Sequence, residues 1–208
     1  MTLEQTPAPA RSDVRRSATV GAPRAPVRPF VKQGMTLTAG AVSWAIYTLI
    51  FGTDPSGRTE EALSSLTSGL FQVGLLCLLT VQWRTQALGE GRLARFFLRA
   101  EAVLITLAIG STIVDGIGVS DLDRVGWILL DLTWPLSMLG MFAIGVRIAI
   151  AGRWHGASRF WPLLAESWAV VVVPTFSILG SDAAGYVSFV HLCVGYGVLG
   201  QLVARKER

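Results

Sequence analysis

Residues 125–151 read VGWILLDLTWPLSMLGMFAIGVRIAIA, an apolar run interrupted by only two charged side chains, Asp131 and Arg147. About 20 apolar residues are enough for a helix to cross the roughly 30 Å hydrocarbon layer of a bilayer. This run therefore predicts a membrane-spanning helix that is long enough to tilt.

Five further apolar runs accompany this one in the chain of 208 residues. Together they predict six membrane spans, at about residues 35–52, 65–83, 97–119, 125–151, 160–180 and 184–203. Only 15% of the residues are charged, against about 25% in a typical soluble domain. We therefore expect an all-α, polytopic bundle of six transmembrane helices over residues 35–203. The short connections exclude a large catalytic domain outside the membrane.

The first 34 residues differ in composition from the rest of the chain. They contain five of the nine prolines and six basic residues, and they show no apolar periodicity. Such a segment cannot bury enough apolar surface to offset the entropy of ordering it, so we predict a disordered basic tail over residues 1–34. We expect this tail to contact anionic lipid headgroups, because each basic residue near the surface contributes about 1 kcal/mol. A short basic segment, residues 204–208, follows the last span.

The basic residues are unevenly divided between the two ends of the predicted spans. With six spans, the tail, the second and fourth connections and the C-terminal segment share one side, and they hold 16 of the 18 Lys and Arg residues. Only Arg58 and Arg124 fall on the other side, in loops that also carry five carboxylates. The positive-inside rule then predicts that both termini are cytoplasmic. Membrane topology also accounts for the net charge of +4, so we do not expect nucleic-acid binding.

Ionisable side chains inside the spans are costly in hydrocarbon, and each points to a function or to a specific partner. Near the cytoplasmic side, Arg147 and Glu166 lie at similar distances from the connection between the fourth and fifth spans. Adjacent antiparallel helices would place them at one depth, so we predict a buried ion pair, with Glu101 as the alternative acceptor. Such a pair would either fix the helix register or take part in binding or moving a substrate.

Near the outer side, Asp115, Asp131 and His191 lie a few residues inside the ends of the third, fourth and sixth spans. Each shares a helical face with small or polar residues, and Trp134 lies on the face of Asp131. We therefore predict a cavity between spans three to six lined by Asp115, Asp131 and His191, with Trp134 as a further ligand-binding residue. An Asp–His pair would act there either as a pH-responsive switch or as a hydrogen-bonded strut.

Motifs of several common enzyme and metal-site classes are absent from the sequence. It contains no GxxxxGK(S/T) phosphate loop, no HExxH zinc pair and no GxSxG nucleophile elbow. The two cysteines, Cys77 and Cys193, lie in separate apolar runs and form neither a disulfide framework nor a CxxC metal half-site. We therefore expect no catalytic residue, no bound metal and no cofactor.

Three short segments carry a resemblance to a known group of proteins. They are WPLSMLGM (134–141), GRW (152–154) and WPLL (161–164). This pattern resembles small six-helix integral membrane proteins of high-GC Gram-positive bacteria, which have no assigned activity. The resemblance implies a location in the bacterial plasma membrane, and it implies no substrate or catalytic residue.

The sequence therefore predicts an integral membrane protein without naming its specific function. We favour a non-enzymatic protein that binds, senses or transports a small ligand, proton or lipid through a polar interior. One alternative is an accessory subunit that packs against another membrane protein or a second copy of itself. The other is an intramembrane enzyme that uses Glu166 or Asp131 as a general acid or base.

Overall fold

The computed structural model of the protein describes residues 29–53, 55–119 and 123–206. These residues form helices joined by short loops, and no strand occurs among them. Six helices are long and apolar enough to cross a membrane, which confirms the predicted all-α bundle of six spans. Residues 1–28 of the predicted tail, and residues 207 and 208 of the basic C-terminal segment, lie outside the described residues.

We number the six membrane-spanning helices in chain order. They are α1 (Val31–Phe51), α2 (Arg58–Arg84), α3 (Arg92–Ile117), α4 (Val125–Ala151), α5 (Ala157–Leu179) and α6 (Ser181–Ala204). All except α4 begin a few residues before the predicted apolar run, because polar residues can continue a helix beyond the hydrocarbon. In α2, for example, Glu60 and Glu61 occupy the first turn, where the helix dipole favours carboxylates. Likewise α1 begins inside the segment that was predicted as tail.

The six helices pack in chain order as a closed ring. Each helix packs against the one before it and the one after it, and α6 returns to pack along α1. Short loops impose this order, because they make consecutive antiparallel helices neighbours in space. The contact between α1 and α6 is the most extensive in the bundle, and the contact between α1 and α2 comes next.

Glycines let α1 approach both of its neighbours closely. A Cβ atom on Gly40 would lie 2.7 Å from the backbone of Leu70 and Phe71 in α2. On another side of α1, Gly34 meets the backbone of Gly200 in α6 in a similarly close contact. Helices in lipid associate largely through such close packing, because the surrounding chains are as apolar as the side chains. The glycines therefore hold α1 between α2 and α6.

Five aromatic side chains meet across the interior of the ring. We call Trp44, Phe71, Trp134, Trp168 and Tyr196 the aromatic cluster. The ring centroid of Trp44 lies 5.2 Å from that of Phe71 and 5.2 Å from that of Trp168. Trp44 also meets Trp134 edge to face at 5.9 Å, and Phe71 meets Tyr196 in the same way at 4.7 Å. The cluster joins every helix of the ring except α3.

Three helices are interrupted within their spans. Their α-helical segments are Val125–Asp131 and Thr133–Ala151 in α4, Ala157–Glu166 and Trp168–Leu179 in α5, and Ser181–His191 and Val198–Ala204 in α6. The interruption of α4 at Leu132 lies three residues before Pro135, which has no N–H to donate to the carbonyl of Asp131. In α6, residues Leu192–Gly197 form a turn of π-helix.

The connections rich in basic residues meet at one end of the bundle, which we call the basic end. An ion pair of 3.0 Å between Arg153 and Glu90 joins the α4–α5 connection to the α2–α3 connection. Trp154 Nε1 donates to the Thr85 hydroxyl at 3.0 Å, and Lys206 Nζ lies 4.5 Å from the centroid of the Trp154 ring. Burial in this contact lowers the pKa of Lys206. We call the opposite end the acidic end.

Candidate functional site

A cavity of about 330 Å³ lies at the acidic end, between α1, α2, α3 and α4. We call it the acidic-end cavity. Its lining consists of Trp44, Pro55, Glu61, Ser64, Ser65, Ser68, Gln72, Ser111, Thr112, Asp115, Asp131 and Trp134. Most of these side chains carry a hydroxyl, amide or carboxyl group. The volume falls within the range of about 300–1,000 Å³ that is usual for small-molecule sites.

The polar lining follows from helical periodicity. From α2 come Glu61, Ser64, Ser65, Ser68 and Gln72, which recur every three or four residues and so share one face of the helix. We did not predict this stripe, although its spacing is visible in the sequence. A serine in a span is a weak signal, because its hydroxyl can bond to a carbonyl of its own helix, as Ser68 does to Ser64 at 2.7 Å.

Gln72 is the residue of this α2 stripe that lies deepest in the membrane, and it is only 1% exposed. Its Nε2 donates to Thr112 Oγ1 in α3 at 2.8 Å. Its Oε1 is also buried and accepts no hydrogen bond within the described part of the chain. A buried acceptor without a donor costs about 1–3 kcal/mol. This oxygen would therefore bind favourably to a ligand that donates a hydrogen bond.

Three of the four predicted ligand-binding residues line this one cavity. Asp115 comes from α3, and Asp131 and Trp134 come from α4, one helical turn apart. The helices around the cavity are α1 to α4, whereas we predicted a cavity between spans three to six. The difference arises because α1 and α2 supply Trp44 and the serine stripe, which a search for charged side chains does not find.

His191 lies outside the acidic-end cavity, contrary to the prediction. Its Nε2 lies 3.2 Å from the Ser167 hydroxyl in α5. The ring lines an apolar groove between α5 and α6, together with Leu164 and Val190. In the closed ring α6 neighbours α5 and α1, so the face that carries His191 is directed to α5 and away from Asp131. The predicted Asp–His pair is therefore not formed.

The predicted ion pair between Arg147 and Glu166 is not formed either. Among the residues that the structure describes, no basic group lies within 4.0 Å of the carboxylate of Glu166 or of Glu101. Arg147 is exposed, and its guanidinium lies beside Gly89 at the basic end. The long side chain can reach hydrated surroundings there while its methylene groups cover apolar surface.

Glu166 bonds to a hydroxyl in place of the predicted guanidinium. Tyr196 Oη donates to Glu166 Oε2 at 2.6 Å, and both side chains are buried. The carboxylate of Glu101 lies against Gly140 of α4, where a Cβ atom would overlap with it. We did not predict the contact of Tyr196, because a tyrosine in an apolar run looks like any other core or interface residue.

Charge and aromatic surface are combined around the acidic-end cavity. Glu61, Asp115 and Asp131 border it, and the indole rings of Trp44 and Trp134 form part of its wall. Carboxylates attract a positive charge directly, and the faces of indole rings attract it through their quadrupole. No group of three or more His, Cys, Asp or Glu side chains placed to hold a metal ion occurs among the described residues. Carboxylates and indole rings at one cavity together suit an organic cation.

Among the carboxylates that line the cavity, Glu61 takes part in an ion pair with Arg58. Arg58 Nη1 lies 3.4 Å from Glu61 Oε2, and both side chains are largely exposed. An exposed pair of this kind contributes about 0–1 kcal/mol. It therefore offsets little of the negative charge of Glu61.

The chain matched no protein-family model, no curated protein and no solved structure. This result does not test the resemblance to six-helix proteins of high-GC Gram-positive bacteria, which stays a prediction. The six apolar helices identify the chain as a multi-pass integral membrane protein.

Proposed function

We propose that this protein binds a small organic cation in the acidic-end cavity. The proposal rests on one observation: three carboxylates, two indole rings and a buried, unpaired amide oxygen surround a single cavity. The carboxylates match the charge of the cation, and the indole rings of Trp44 and Trp134 in the wall of the cavity match its alkylated surface. The Gln72 Oε1 atom is an acceptor for an O–H or N–H group on the same molecule.

The proposed role is binding or sensing. The rings of the aromatic cluster pack against one another beside the cavity, and Trp44 is buried. A cation bound in the cavity would meet these rings before it could move toward the basic end. In this conformation the cavity is therefore better suited to binding a ligand than to letting it pass through the membrane.

We further propose that the basic end is cytoplasmic and that the membrane is the plasma membrane of a bacterium. The distribution of Lys and Arg residues supports this orientation. The acidic-end cavity would then receive its ligand from outside the cell without transfer through hydrocarbon. Residues 1–28 of the basic tail, which lie outside the described residues, would then contact the anionic headgroups of the inner leaflet.

Choline and dimethylbutanol, in which a carbon replaces the quaternary nitrogen, form a matched pair of probes. We expect the purified protein in detergent to bind choline at least about tenfold more tightly than dimethylbutanol, because only choline carries the positive charge, and each cation–π contact of that charge contributes about 0.5–2 kcal/mol. Isothermal titration calorimetry measures both affinities. Equal affinity for the two probes would contradict the proposal.

Asp131→Asn is expected to weaken choline binding about tenfold, since it removes one of the three carboxylate charges and keeps the shape of the side chain. Asp182→Asn is the matched control, because Asp182 is an exposed carboxylate in the first turn of α6 at the same end and does not line the cavity. Calorimetric titration of the two variants tests the site. The same affinity for choline in both would exclude a ligand at Asp131.

A further inference from the structure

Three polar side chains from three helices lie at one depth inside the bundle. Glu101 of α3 and Glu166 of α5 each lie nine residues from the basic end of their helices, and Tyr196 of α6 lies eight residues from its own. At about 1.5 Å per residue, this is about 12–14 Å along each helix, well inside the membrane. Glu101 and Glu166 are 3% and 1% exposed, and Tyr196 is fully buried.

We propose that Glu101, Glu166 and Tyr196 form a proton-binding site, distinct from the acidic-end cavity. The two carboxyl groups lie buried at one depth of the bundle, and the Tyr196 hydroxyl donates to Glu166. The Oε1 atoms of both glutamates are buried and have no hydrogen-bond partner in the described ranges. A carboxylate in such surroundings needs a partner of positive charge, because an isolated buried charge is very costly.

Among the residues that the structure describes, no basic group lies within 4.0 Å of either carboxylate. Arg147 of α4 lies beside Gly89, and Arg99 of α3 lies over the ring of Trp83. Arg159 Nε of α5 donates to a backbone carbonyl of α4, and His191 of α6 contacts Ser167. On α2, which packs on α3, Arg58 and Arg84 lie at the two ends of the helix. On α1, which packs on α6, Lys32 lies in the first turn. A proton bound to a carboxylate oxygen supplies the positive charge that these two buried glutamates need.

The π-helical turn of α6 supplies an independent argument. It covers Leu192–Gly197 and therefore carries the tyrosine of the site. Wider turns of this kind occur frequently at functional sites, because they redirect side chains and loosen backbone hydrogen bonds. Here Trp161 Nε1 of α5 donates to the carbonyls of Val194 and Gly195, at 3.1 and 3.0 Å. The distortion is thus held in place from the neighbouring helix.

Proton uptake at this site forms one O–H bond and breaks none within the protein. The proton comes from water and adds to a carboxylate oxygen of Glu166 or Glu101, and the charge of the pair rises by one. The proposal predicts that ionisation of one carboxyl group disfavours ionisation of the other, because like charges repel. A change at one carboxyl therefore shifts the titration of the other.

Dicyclohexylcarbodiimide tests the site, because this apolar reagent adds to protonated carboxyl groups in apolar surroundings and leaves a stable acylurea. With the full-length protein in vesicles of phosphatidylcholine and phosphatidylglycerol, we expect label at Glu101 or Glu166, read by peptide mass spectrometry, and progressively slower labelling as the pH is raised. The carboxylate of Glu61, at the acidic-end cavity, serves as the internal control and should remain unlabelled. Absence of label at both buried glutamates in folded protein would overturn the proposal.

Infrared spectroscopy supplies a second readout that needs no reagent. The C=O stretching band of a protonated carboxylic acid should be present and should disappear reversibly at high pH. Glu166→Gln keeps the acceptor for Tyr196, so we expect folded protein with loss of part of this band. The pH profile of labelling at Glu101 should shift in the same variant. If the three residues had a purely structural role, the C=O band would not change with pH, and the pH profile of labelling at Glu101 would not shift. Neither readout involves choline, so each proposal can fail without the other.

Discussion

Gly40→Ala is expected to lower the free energy of unfolding by about 3 kcal/mol, at the upper end of the usual cost of overpacking. The added Cβ atom would lie 2.7 Å from Leu70 O and 2.7 Å from Phe71 Cα, which are backbone atoms and cannot rotate away. Helices α1 and α2 would have to separate, and the stacking of Trp44 on Phe71 would be lost with them. Unfolding of the purified protein by titration with sodium dodecyl sulfate, followed by circular dichroism, measures the change.

The matched control is Gly110→Ala in α3. A Cβ atom there would meet no neighbouring atom within 4 Å. The same substitution should therefore leave stability unchanged or raise it by up to about 1 kcal/mol, because alanine has the higher helix propensity. If the two variants lost stability equally, close packing at Gly40 could not be the cause.

Trp44→Ala is expected to cost about 3–5 kcal/mol, the usual range for removing a large aromatic side chain from a packed interior. Trp44 is 8% exposed and contacts aromatic rings from α2, α4 and α5. The substitution would leave a void between four helices and remove part of the wall of the acidic-end cavity. We therefore expect choline binding to be lost together with stability, in the unfolding and calorimetric measurements already described.

Trp83→Ala provides the comparison for this second substitution. Trp83 is 37% exposed, and Arg99 lies 5.2 Å from its ring centroid. An exposed cation–π contact contributes about 0.5–1 kcal/mol, so we expect a loss of that order and unchanged choline affinity. A cost at Trp83 as large as the cost at Trp44 would contradict the role assigned to the aromatic cluster.

Local composition was sufficient to predict the number of spans but not the residues at which the helices begin. The number of spans followed from the apolar runs, since transfer into lipid depends on the side chains of each segment. The start of α2 at Arg58, seven residues before the predicted apolar run, did not follow from them. Residues such as Glu60 are compatible with a helix and with water, and hydropathy does not distinguish a helical turn at the surface from a loop.

Prediction of the site was limited in a different way. The sequence identified three residues of the cavity lining, Asp115, Asp131 and Trp134. Carboxylates within spans are costly in hydrocarbon and therefore indicate a function or a partner, and Trp134 shares a helical face with Asp131. Gln72 was missed, although it is the most buried polar side chain of the cavity lining. It is 1% exposed, and Ser111, the next most buried, is 5% exposed. Its amide carries no charge, and its importance comes from the unpaired oxygen, which is a property of its surroundings in the folded bundle.

The sequence by itself determined an all-α protein with six spans and an unequal distribution of basic residues, because each property depends on composition along a single segment. Only the tertiary structure decided the rotation of each helix about its axis and hence which polar groups meet. Rotation depends on close contacts between helices, such as that of Gly40 with Leu70 and Phe71. Such contacts directed His191 to Ser167 and Glu166 to Tyr196. The depth of a residue in the membrane can be counted along one helix, but the identity of its contact partner depends on how several helices pack.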